Sequence, residues 1–137
     1  MIYLAICFFF IAGLAKSVSD LLDNYKFEKS IFRNLNPQFW DTEKSWRNKW
    51  KKGPDGKIEA NPRPKFLFST TLLCWTTDAW HLFNAVQYGA KLFGVWAIAM
   101  VNFDCSATML FIYCALIYRL TFGLSFELGF YAFTKRD

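Results

Sequence analysis

Charge is unevenly spread along this chain, and that constrains its fold more than any motif does. Residues 2–15 carry no charged side chain, and residues 66–133 carry only five Asp, Glu, Lys or Arg residues. Between these blocks, residues 33–65 hold nine of the sixteen Lys and Arg residues. Apolar blocks of this length, separated by a basic segment, point to an integral membrane protein rather than an apolar-rich soluble one. Hydrophobic residues make up 54% of the sequence, above the roughly 45–50% of an ordinary soluble domain. At 137 residues the chain has room for one domain, here a single membrane domain spanning 1–137.

The formal charge of +5 does not indicate a nucleic-acid partner, because the cations flank apolar segments. Lys and Arg beside membrane spans mark the cytoplasmic side and meet anionic head groups. The expected location is therefore a membrane crossed more than once, with residues 23–65 in the cytoplasm and membrane lipids as partners. Cys7, Cys74, Cys105 and Cys114 show neither CxxC nor zinc-site spacing and read as small hydrophobes.

Residues 1–22 admit two readings. Gly13-Leu14-Ala15 would serve as a signal-peptide cleavage site, but no Lys or Arg precedes the apolar core. The segment is accordingly read as a first transmembrane helix, with Lys16 and Asp20, four apart, pairing along it. Residues 23–65 form the polar segment. Asp41 is a suitable N-cap for an interfacial helix over about residues 42–52, ended by Gly53-Pro54. On that helix Trp46 and Trp50 share a face among Arg47 and Lys49, and these four are candidate head-group contacts.

Residues 66–134 form an apolar helical region with two possible topologies. In one, residues 66–88 span, residues 89–91 turn, and residues 92–118 span back. In the other, residues 66–76 lie at the cytoplasmic face, and helices over about 77–103 and 105–133 form a hairpin turning at Asp104. At about 1.5 Å per residue, the second arrangement brings Asp20, His81 and Glu127 to a similar depth near the inner boundary. It also gives the intramembrane charges partners, although Lys16, Lys91 and Arg119 then form a tier that needs acidic neighbours or water. Either way the expected fold is an all-α integral membrane bundle of three to four membrane-embedded helices with a basic, Trp-rich cytoplasmic interfacial segment.

The densest chemistry lies in Thr77-Asp78-Ala79-Trp80-His81, where an aspartate sits three residues before the chain's only histidine. On a helix that spacing puts both on one face, extended by Thr77, Asn84 and Tyr88. Asp20, Asp78, His81 and Glu127 form the expected polar cluster. Asp78, His81 and Glu127 are acceptable ligands for one divalent metal, which would activate water toward a lipid ester or phosphoester. In that reading Arg47, Lys49 or Arg119 holds the lipid phosphate.

Phe39-Trp40, Ser45-Trp46-Arg47-Asn48-Lys49, Ser69-Thr70, Thr77-Asp78-Ala79-Trp80-His81 and Phe126-Glu127 together resemble a group of small uncharacterised bacterial and phage integral membrane proteins. Such chains carry a Trp-x-Asn-Lys segment, then Ser-Thr, then Thr-Asp-x-Trp-His. The resemblance covers the middle half of the chain and carries no activity with it. It implies that the Trp-Arg-Asn-Lys segment and the Asp-His pair belong to one site, and that the membrane is a bacterial inner membrane.

Three functions fit these features. One is an accessory or assembly subunit of a larger membrane complex, in which Asp78 and His81 bond to each other, to Thr77 and to neighbouring helices. The second is a metal-dependent intramembrane hydrolase. The third is a homo-oligomeric ion channel or transporter. No Gly-rich phosphate loop or GxSxG motif is present.

Overall fold

The structure, a computed structural model, describes residues 1–24, 27–101 and 106–134. These residues are mostly helical, and among them no strand forms beyond isolated bridges. Three long helices, α1 (Ile2–Asn24), α4 (Ala79–Ala99) and α5 (Ala107–Phe133), are joined on one side by short elements that include α2 (Pro37–Trp40) and α3 (Thr42–Ser45). At about 1.5 Å per residue the long helices measure roughly 34, 32 and 40 Å. Two of them, α1 and α5, are long and apolar enough to cross a membrane.

The N-terminal helix is the centre of the bundle. α4 packs along one side of α1 and α5 along another. At one end Ala5 and Phe9 meet Ala97 and Ile98, while at the other Val18 and Leu22 meet Ala79. α4 is therefore antiparallel to α1. Phe9 also lies edge-on to Tyr118, and Phe32, which follows α1, meets Phe133, so α5 runs parallel to α1.

Small residues set both interfaces. Gly13 and Ser17 of α1 face Ser125 and Gly129 of α5. A Cβ on Gly13 would overlap the Ser125 hydroxyl and sit 2.5 Å from the Phe122 carbonyl oxygen. One on Gly129 would overlap the Ser17 hydroxyl. On α4, Gly94 accepts the Phe9 ring, which comes within 2.7 Å of where its Cβ would stand. Backbone approach of this kind is how apolar helices gain contact where lipid offers no hydrophobic driving force.

The partition of apolar surface supports a bilayer setting. Of the most apolar window of α5 only 6% is buried, against 44% for α1. The outward α5 side chains include Phe111, Leu116, Leu120, Leu124 and Leu128. A soluble protein would cover such a helix.

The segment between α1 and α4 closes one end of the bundle. Phe32 stacks on Trp40 at 4.5 Å, and Trp40 meets Phe83 at 5.8 Å. The Thr42 hydroxyl donates to the Leu22 carbonyl at 3.1 Å, satisfying an acceptor left open at the end of α1.

Two expectations need correction. The helix expected over 42–52 caps at Asp41, whose Oδ1 accepts the Glu43 N–H, but α3 ends at Ser45. A 3-10 turn over Trp46–Lys49 follows, and Trp50 is extended. Here the backbone turns to pair with residues beyond it, as Lys51 N–H donates to the Arg63 carbonyl at 2.8 Å. Trp46 and Trp50 therefore do not share a helical face.

Of the two topologies open for residues 66–134, the first, with one span over residues 66–88, does not form. Residues 66–77 fold as successive turns, with Phe68 at φ +63°. Helix α4 then runs unbroken through residues 89–91, where the first topology placed a turn. The expected turn at Asp104 lies outside the described residues.

Candidate functional site

Asp78 is the N-cap of α4, not a residue on its face. Its backbone is extended (φ −158°, ψ 163°), and its Oδ1 accepts the His81 N–H at 2.8 Å. This satisfies a donor that a helix start leaves open. The second oxygen, Oδ2, lies 2.7 Å from His81 Nδ1. A carboxylate only accepts, so Nδ1 is the donor and carries the proton. The Thr77 hydroxyl, shared with the Cys74 carbonyl at 2.6 Å, also approaches Oδ2 at 3.1 Å. Asp78 is 2% exposed, and both its oxygens are occupied.

That arrangement leaves His81 Nε2 as the open end of the pair. It makes no hydrogen bond among the described residues, and no buried side-chain nitrogen or oxygen there lacks a partner. Nε2 is therefore accessible. In the neutral imidazole with its proton on Nδ1, Nε2 carries the lone pair. His81 lines a cavity of about 230 Å³ together with Asp23, Thr42, Ser45, Trp46, Asp78 and Trp80. The Trp80 ring stands edge-on to His81 at 4.8 Å and limits its rotation.

The turn at Trp46–Lys49 supports this pair from below. The Asn48 amide donates to the Thr77 carbonyl at 3.0 Å and to the Gln38 carbonyl. One side chain thus ties α2, the 3-10 turn and the residue before Asp78. On the same turn, the Lys49 carbonyl accepts from Ser69 Oγ at 2.8 Å and from Lys65 N–H at 3.0 Å. The Asp41 carboxylate, besides capping α3, pairs with Lys44 at 2.8 Å. That bond and the charge of Asp41 raise the Lys44 pKa above its ordinary value.

The four-residue polar cluster does not assemble as expected. Glu127 and Asp20 line a different cavity, of about 600 Å³, with Lys16 and Arg119. The cause is helix register: Gly13 against Ser125 and Ser17 against Gly129 fix Glu127 beside the Lys16–Asp20 ion pair, while Asp78 caps α4 beside Thr42 and Ser45. Among the described residues no three His, Cys, Asp or Glu side chains converge as a metal site. The ligand set Asp78, His81 and Glu127 is therefore not formed. Asn84 and Tyr88 share the His81 face of α4 but do not join the pair, since Asn84 bonds to the Trp80 carbonyl and Tyr88 is exposed.

Of the expected charged tier, Lys16 and Arg119 share their cavity with Asp20 and Glu127. Lys91 instead meets the rings of Phe122, Tyr88 and Tyr118 at 4.8–5.8 Å. Aromatic faces stabilise a desolvated cation there.

Among the candidate head-group contacts, Arg47 lies over Trp46 at 5.4 Å and Lys49 over Trp50 at 5.9 Å. The sequence reasoning missed Asp23, Thr42 and Ser45 as cavity residues. Nothing local marks Asp23 or Thr42, because residues 37–49 fold beneath α4 and against the end of α1 to bring them there, while Ser45 stood only within the Ser-Trp-Arg-Asn-Lys motif.

Fold and site together define an all-α protein with two helices fit to cross a bilayer and an Asp–His pair opening on a cavity. No family model, curated protein or solved structure matches the chain.

Proposed function

We propose that this is a small multi-pass membrane protein that hydrolyses a lipid-borne ester or phosphoester, with His81 as the general base. The observation that carries the reading is His81 itself: its Nδ1 proton is held by buried Asp78, and its Nε2 is unbonded on a cavity wall. A residue serving only to hold helices together would spend both nitrogens on neighbours. Here the side-chain hydrogen bonds of the pair stay within residues 77–81.

In the reaction, Nε2 takes the proton of an attacking oxygen, either water or the Ser45 hydroxyl, as that oxygen bonds to the ester carbon or phosphorus. Asp78 keeps the imidazole in the required tautomer and stabilises the imidazolium that forms. The leaving alkoxide then takes the proton back from Nε2. If Ser45 is the attacker, a second round with water releases the acyl or phosphoryl group. The largely apolar walls suit a lipid, and the basic segment over residues 33–65 supports a reading in which the cavity opens at the cytoplasmic face of a bacterial inner membrane. In this reading all three long helices are membrane-embedded, with α4 and α5 packed on two sides of α1.

The test is turnover of a medium-chain nitrophenyl ester and of a fluorescent phospholipid by purified protein in mild detergent. Wild type should turn over one of them, and His81→Ala should lose about 100-fold or more at an unchanged melting temperature. Equal rates in the two proteins would sink the reading.

A second reading, an accessory or assembly subunit of a larger membrane complex, rests on Arg119 and Glu127. Both are exposed on the apolar α5, where charges facing lipid are costly. Stoichiometric co-purification with a larger complex would support it, and a stable lone monomer would count against it. A homo-oligomeric channel or transporter would use the same charges, and liposomes that stay silent to ion flux would remove it.

A further inference from the structure

A second cavity, of about 450 Å³, adjoins the first across Trp46, which lines both. Its other lining residues are Arg47, Lys52, Gly56, Lys57 and Ile58. Three cations and no acid form its wall. Among the described residues none of the three has a carboxylate within ion-pair distance; the ion pairs there are Lys16–Asp20, Lys44–Asp41 and His81–Asp78.

A local hairpin holds the lysines there. Gly53 N–H donates to the Lys57 carbonyl at 2.8 Å, Lys52 bridges Ile58, and Gly56 turns the chain at φ +75°. The Arg47 guanidinium is braced over the Trp46 ring. Like charges gathered this way repel one another unless an anion joins them.

The neighbouring chain indicates where that anion comes from. Residues 66–75 expose Leu67, Phe68, Leu72 and Trp75, and they are tied to the Trp46–Lys49 turn through Ser69 and the Lys49 carbonyl. An exposed apolar loop beside cations suits the boundary layer of a bilayer, with rings in the acyl region and ammonium groups at phosphate level.

We propose that the Arg47–Lys52–Lys57 cavity binds the phosphate of an anionic lipid head group, placing the attached glycerol ester toward His81 across Trp46. This rests on the hydrolase reading for its catalytic consequence, but not for binding itself. It replaces Lys49 and Arg119 as phosphate contacts, since neither lines this cavity.

The experiment measures binding of dihexanoyl phosphatidic acid, dihexanoyl glycerol and inorganic phosphate to full-length protein in detergent, all in the His81→Ala background. Saturable binding of the phosphatidic acid is expected, with the diacylglycerol failing to bind. Lys52→Gln with Lys57→Gln should weaken it about tenfold or more, as loss of charge-assisted bonds does, whereas exposed Lys29→Gln should not. Unchanged affinity in the double variant overturns the proposal, and so does inorganic phosphate binding as tightly as the lipid, which would make the ligand a soluble phosphate. Since His81 is absent throughout, failure here is separate from failure of the hydrolase, which the activity of His81→Ala decides.

Discussion

Asp78 holds His81 at two points, accepting its backbone N–H at 2.8 Å and its Nδ1 proton at 2.7 Å. One carboxylate thus starts helix α4 and orients the imidazole. The two roles separate on substitution. Asparagine caps a helix about as well as aspartate, whereas alanine costs about 1 kcal/mol. Asp78→Asn should therefore melt close to wild type but lose most turnover, because a neutral amide cannot stabilise an imidazolium. Asp78→Ala should lose both. Thermal unfolding and ester turnover on the same samples check this, and full activity in Asp78→Asn would reduce the carboxylate to a cap.

Glycines in this bundle are not equivalent. A Cβ on Gly13 would meet the Ser125 hydroxyl and the Phe122 carbonyl, whereas one on Gly123 meets nothing within 4 Å. Backbone oxygen on an adjacent helix cannot move aside as a flexible side chain can. Gly13→Ala should accordingly destabilise by about 1–3 kcal/mol through overpacking. Gly123→Ala should be neutral, or stabilising by up to about 1 kcal/mol from helix propensity. Melting in one detergent decides it, and equal shifts for the two variants would mean that α1 and α5 do not pack as described.

The all-α fold and the apolar helices were legible from charge segregation, because the bilayer dictates both the length and the polarity of what crosses it. The Asp78–His81 pair was legible too, though for the wrong reason. Three-residue spacing fits two positions on a helix face, and it equally fits an N-cap and the third residue of the helix. Only the extended backbone at Asp78 decides between them.

Glu127 was misplaced because depth counting ignores register. That register comes from Gly13 and Ser17 meeting Ser125 and Gly129, a small-xxx-small pair on each helix that a strict GxxxG search passes over. The break before α4 was one of the two topologies the sequence allowed, but nothing at the turn itself marked it. Phe68 takes a positive φ within an apolar run, and phenylalanine carries none of the turn signal that glycine or asparagine would.

The wall of the His81 cavity also has a pH-dependent brace. The hydrogen bond to Asp41 and its charge raise the pKa of Lys44. A raised folded-state pKa contributes stability that is full below the unfolded value of 10.5 and is lost as pH rises through the folded one. Melting temperature should therefore fall slightly faster for wild type than for Lys44→Met above about pH 10, with parallel curves at neutral pH. Curves that stay parallel through the alkaline range would show that the pair does not brace α3. Lys44 is exposed, so the difference should be small.

Asn48 joins the basic segment to the acid–base pair. Its amide donates to the carbonyls of Gln38 and Thr77, and the second of these immediately precedes Asp78. Asn48→Asp keeps the shape but replaces both donors with acceptors facing carbonyl oxygens. Asn48→Ala only removes them. Alanine should cost about 1–3 kcal/mol from acceptors left without donors, and aspartate should cost more. If the amide also positions the site, both variants should lose turnover at temperatures well below their melting points, where the fold is intact. Binding of dihexanoyl phosphatidic acid separates the two cavities, because the Arg47–Lys52–Lys57 wall does not include Asn48. Preserved binding with lost turnover would place Asn48 as the support of Asp78 and His81. Loss of both would mean that it holds the whole segment over residues 37–65, and wild-type turnover in either variant would show that the Thr77 carbonyl needs no such strut.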